Sequence, residues 1–80
     1  MTRAVDTGHV VYCLVNLPET DLFLEAGNSP YRIGVWTKSY ETLTEKKVDQ
    51  VISVLERLDH DLIGAGFFGG TIVVYRFQDL

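Results

Sequence analysis

The alternation of apolar and polar positions changes period along the chain. His9 to Asn16 (HVVYCLVN) is β-branched, aromatic and apolar on both faces, the pattern of an inner strand. Leu17-Pro18 stops it, because proline has no N–H to give to a ladder. Asp21 to Ala26 (DLFLEA) reads as a short second strand, and Gly27 to Pro30 (GNSP) as a turn. Tyr31 to Thr37 alternates, with Tyr31, Ile33 and Val35 on one face and Arg32, Gly34 and Trp36 on the other. The rhythm then lengthens. From Leu43 to Leu58 the apolar residues Val48, Val51, Ile52, Leu55 and Leu58 fall at helical spacing, and Thr42 with Glu45 three residues on forms a capping box. Beyond Asp59-His60-Asp61, the runs Leu62–Phe68 and Thr71–Phe77 flank Gly69-Gly70 and predict a tight hairpin.

These elements predict a single α+β domain over residues 1–80, in the order β-β-β-α-β-β. Its mostly antiparallel sheet has four to five strands, with one α-helix packed on one face, and residues 1–8 form a loose N-terminal arm. A two-residue hairpin turn sets Phe68 opposite Thr71, Phe67 opposite Ile72, Ala65 opposite Val74 and Gly64 opposite Tyr75. That register turns Ile63, Ala65, Phe67, Ile72 and Val74 toward the helix. It leaves Leu62, Phe68, Val73, Tyr75 and Phe77 on a second face too apolar to stand in water. A second copy, a partner or the N-terminal segment is expected to cover it.

Composition narrows the function classes. The 80 residues carry a net charge of -4, which disfavours association with nucleic acid or an anionic membrane, since both reward a positive excess. With Cys13 as the only cysteine, a disulfide scaffold is excluded. The N-terminus has no apolar signal core, and the longest apolar run, Val10 to Val15, is far short of the ~20 residues a spanning helix needs. The expectation is a soluble, cytoplasmic protein with no membrane partner.

Motifs that carry chemistry fall away on context. Gly64-Ala-Gly-Phe-Phe-Gly69 matches GxGxxG by letter, but a dinucleotide fingerprint opens a helix and these glycines lead into a strand. Leu17-Pro-Glu-Thr-Asp21 lacks the glycine of a sorting signal. Asp59-His60-Asp61 offers two carboxylates around an imidazole, yet reads as a solvated helix exit, and no further ligand stands at metal-site spacing. Cys13, on an apolar strand, behaves as a small hydrophobe. With no nucleophile–base spacing either, we expect no catalytic residue, cofactor or metal, and a protein that is not an enzyme.

What remains is charge and one indole. On the expected helix, Glu45, Asp49 and Glu56 cluster within about 40° along one edge of the apolar stripe, and Asp59 and Asp61 extend the acids past its end. Carboxylates at a helix C-terminus are not explained by the dipole, which favours cations there. A solvated face is the commoner use of such charge, and a binding surface is the alternative. Trp36 shares its strand face with Arg32, and both residue types are enriched as interface anchors. RNA stacking on that face is set aside, since the element order is not βαββαβ and the charge has the wrong sign.

A single acidic domain of about this size, one helix on an antiparallel sheet, no catalytic motif and no targeting signal together resemble the small phage-encoded anti-CRISPR proteins. The resemblance covers the whole chain as a profile. It implies a stoichiometric inhibitor, in the cytoplasm of an infected bacterial host, that binds a type I Cascade-like effector. Carboxylates would occupy the basic channel that receives target DNA. The partner-binding residues expected on that reading are Glu45, Asp49, Glu56, Trp36, Asp59 and Asp61. The alternative is a structural or oligomerisation module that forms a homodimer through its apolar sheet face.

Overall fold

A computed structural model describes residues 4–28 and 31–80. It is nearly all β. Four strands form one antiparallel meander: β1 (Val10–Leu17), β2 (Leu22–Asn28), β3 (Arg32–Thr37) and β4 (Thr42–Lys47). Three more form a second: β5 (Ile52–Asp59), β6 (Leu62–Phe67) and β7 (Ile72–Arg76), followed by a 3-10 turn at Phe77–Asp79. Of the expected arm, residues 1–3 lie outside the described residues, as do Ser29 and Pro30 of the expected turn. No helix among the described residues is long and apolar enough to cross a membrane.

The α+β expectation is overturned: the stretch read as a helix is β4, a turn and β5. The reason lies in a β-bulge. Ile52 opposes Phe67, Val54 opposes Gly66 and Leu55 opposes Ala65, so Ser53 is an extra residue in the ladder. Ile52 and Leu55 therefore both reach the core at a spacing of three, which imitates a helical period in an extended strand. A second slip lies between Arg57 and Asp59, and Leu58 there points to the outer face, so the last position of the apparent helical stripe does not reach the core. Upstream, the β-branched Thr42 and Thr44 suit a strand better than a helix. Glu45 caps nothing; it pairs with Arg32.

The hairpin forms, one residue out of the expected register. Gly70 N–H donates to the Phe67 carbonyl and Phe67 N–H to the Thr71 carbonyl, which closes a three-residue loop with Gly70 at φ +96°. Ala65 now faces Val73 and Ile63 faces Tyr75. Because side chains alternate, that single step flips β7: Val73 and Tyr75 turn inward, while Ile72 and Val74 turn out.

The core sits between the sheets. Leu17, Leu24, Ala26, Ile33 and Val35 from the first meet Ile52, Leu55, Ile63, Ala65 and Phe67 from the second. β5 packs against β1 and β2, and its far end is tied to the β1–β2 turn by an ion pair between Arg57 and Glu19. This is a sandwich with two outer faces, and they are built very differently.

Candidate functional site

On the outer face of the first sheet, charges are buried. Glu25 on β2 is 1% exposed, and Arg32 on β3 and the His9 side chain are nearly as covered. Glycine makes this possible. A methyl group at Gly34 would sit 3.1 Å from both Glu25 Oε1 and Trp36 Nε1, and one at Gly27 would collide with the Glu25 carboxylate and the Val10 carbonyl. The carboxylate lies over those two bare positions. Its Oε1 accepts from Arg32 Nη2 at 3.0 Å and from Trp36 Nε1 at 3.2 Å, and Oε2 meets His9 Nε2 at 2.9 Å. Arg32 Nη1 donates to Glu45 at 2.6 Å. Arg32 Nε is buried with no partner among the described residues.

His9 ties the cluster to the segment before β1. Its Nδ1 stands 3.0 Å from the Thr7 carbonyl, which can only accept, so Nδ1 carries a proton. Nε2 lies 2.9 Å from Glu25 and 2.7 Å from Arg32 Nη2. A neutral ring accepts from the guanidinium; a doubly protonated ring donates to the carboxylate instead. Beside this cluster, Phe23 stacks on Trp36 with centroids 6.0 Å apart. Val5, Thr7, Val11, Leu14 and Tyr40 line a cleft of about 240 Å³ with these two rings and Glu25. Tyr40 takes a φ of +68°, unusual for a bulky side chain.

The outer face of the second sheet is the reverse. Val54, Leu58, Phe68, Ile72 and Val74 are all exposed, Phe68 at 79% and Ile72 at 76%. Gly64 and Gly66 lie beneath Leu58 and Val54: a methyl group at either would come within 2.9 Å of the neighbouring side chain. Leu58 and Val54 thus lie flat over the central strand, which keeps the face level. Its polar members include Glu56, opposite Gly64, and Arg76, opposite Leu62; neither is in an ion pair among the described residues.

The acids expected on one edge are dispersed. Glu45 belongs to the Arg32 cluster, Asp49 lies in the β4–β5 turn, and Glu56 faces outward on β5. Asp59 accepts the His60 N–H at the β5–β6 turn, and Asp61, exposed in the same turn, accepts the Phe77 N–H through its backbone carbonyl. Trp36 is packed and hydrogen-bonded rather than presented. Glu25 and His9, which the sequence reading passed over, hold the charged centre.

Two groups have displaced acidities. Burial pushes the Cys13 thiol up, against hydrogen bonds from the Leu55 and Ala26 backbone, with the Glu25 charge adding to the rise. Burial also raises the Tyr75 phenol, helped by Asp49. No group of three or more potential metal ligands stands together among the described residues. In comparisons with known proteins, no family model, no curated protein and no solved structure gives a significant match to this chain.

Proposed function

We propose that this domain is a self-associating module whose interface is the outer face of the second sheet, with a second copy of the chain as its occupant. The observation that carries this reading is the level, contiguous apolar face of Val54, Leu58, Phe68, Ile72 and Val74. The occupant follows from charge. The face carries Glu56 and Asp59 on one edge strand and Arg76 on the other, none of them in an ion pair among the described residues. A two-fold axis through the centre of the face sets Glu56 of each copy toward Arg76 of the other, the self-complementarity an isologous contact requires.

Size sets the strength. Three strands spaced by about 4.8 Å and rising about 3.3 Å per residue make a plane of roughly 300 Å². That lies well below a standard interface of about 800 Å² per partner, so the dimer is weak and depends on concentration. The acidic-surface inhibitor reading loses its support. Its stripe required a helix edge, and Glu45, Asp49 and Glu56 stand on different surfaces.

Sedimentation velocity across a concentration series tests the proposal. Val74→Lys should give a monomer at every concentration. Glu56→Arg and Arg76→Glu should each weaken association about fivefold, and the double exchange should restore it. A wild-type protein that stays monomeric, or a double exchange no better than the singles, would sink this arrangement.

A further inference from the structure

A second feature is independent of that face. Where the end of β4 and the turn after it approach β7, the structure opens a cleft of about 420 Å³, within the size range of small-molecule sites. Phe67 and Val73 supply apolar wall, and Thr71, Gln50 and Tyr75 supply polar groups. Lys46 is the unusual member. It opposes Ile33, a core residue, so its side chain leaves the inner face of the sheet, and its ammonium lies 5.9 Å from the centre of the Tyr75 ring.

Lys46 is half-buried at the mouth of the sandwich, where a counter-charge would favour its ammonium. None of the described carboxylates lies within ion-pair distance of Lys46. Lys47 lines the same cleft, and Asp49 is the one acid there, so the local balance is positive in a chain whose net charge is -4. The Tyr75 ring fixes the ammonium by a cation–π contact and leaves its donors free for a guest. Tyr75 holds its own proton beyond the usual phenol range, so its hydroxyl is available as a donor.

We propose that this cleft binds a small aromatic anion, its charged group on Lys46 and its flat body against Phe67 and Val73. The anionic group is a carboxylate or a phosphate; the shared chemistry is a planar apolar body ending in negative oxygen.

Titration of the isotope-labelled chain with benzoate, followed by backbone amide spectra, tests it. Benzoate should shift Lys46, Thr71 and Tyr75 saturably and together. Lys46→Met keeps the apolar stem and should weaken that binding at least tenfold, whereas Lys46→Arg should retain it. Benzyl alcohol, the neutral analogue, should give no saturable shifts, and inorganic phosphate should bind more weakly than phenyl phosphate. Four results would each overturn the proposal: no clustered benzoate shifts, unchanged binding by Lys46→Met, equal binding of the alcohol, or equal binding of phosphate without its ring.

Discussion

The two outer faces of this sandwich reverse the usual assignment of residues to surroundings. The first sheet buries Glu25, Arg32 and His9, and the second leaves Phe68, Ile72 and Val74 in the open. The difference lies in what crosses each face. Over the first, the segment leading into β1 brings Thr7 and His9 onto the sheet, and Gly27 and Gly34 leave room for a carboxylate beneath them. Over the second, glycines are again present, and the neighbouring Leu58 and Val54 lie closest over them. A glycine pair in a sheet is thus no guide to function until its occupant is known: a charged network in one case, a level apolar plane in the other.

The comparison breaks most sharply at Glu25. Removing it strands Arg32 and His9, and uncompensated buried charge costs about 3–5 kcal/mol. A chain of this length has a total stability of roughly 4–12 kcal/mol, so Glu25→Ala should lose a large part of it. Urea unfolding followed by the single tryptophan, whose indole donates to Glu25, reads the loss directly. Adding Arg32→Met to Glu25→Leu should recover much of the deficit, because the pair is then replaced by apolar volume. If Glu25→Ala costs under about 1 kcal/mol, the cluster is a solvated surface pair and the contrast between the faces fails.

His9 is the next step down. His9→Ala should cost about 1–3 kcal/mol, since it leaves the second Glu25 oxygen without its partner. It also tests whether the cover matters as much as the pair. On the other face the same measurement should find almost nothing. Ile72→Thr replaces an ethyl group by a hydroxyl at a position already in water, and should change monomer stability by less than about 0.5 kcal/mol. A loss above about 1 kcal/mol would mean that the face is covered within the monomer.

Five strands were legible from composition and breaks, because Pro18, the glycine-containing turns and the alternation at Tyr31–Thr37 are local signals. The helix was not there, and the cause is local too. A bulge at Ser53 sets core residues three apart, and periodicity alone does not separate that from a helical turn. Gly69-Gly70 reads equally as a two-residue turn, whereas Gly70 at positive φ serves a three-residue loop and moves β7 by one position. Of the partner residues, Trp36 and Glu45 did meet, but around Glu25, a charge inside an apolar run whose significance depends on pairing across three strands. Glu25 opposite Gly34, with Gly27 opposite Arg32, is a long-range juxtaposition that no sequence window contains.

The smallest effect reaches through the sheet. Cys13 pairs with Ala26, the residue after Glu25, and packs against the core on the opposite side from the charged cluster. Burial holds its proton on, and the Glu25 charge contributes to the same rise. The sign for stability follows. The folded thiol titrates above the ordinary value of 9.0 and the unfolded thiol at it, so the folded state binds more proton between the two and stability falls as pH rises through that window. Cys13→Ala should flatten this part of the pH–stability curve above pH 9.0. Glu25→Gln, studied where it remains folded, should move the onset of thiol alkylation to lower pH, whereas Glu56→Gln on the other outer face should leave it in place. An onset unmoved by Glu25→Gln would show that the buried carboxylate is already neutralised by Arg32 and His9, and the charge beneath the covered face would then be felt only by its own partners.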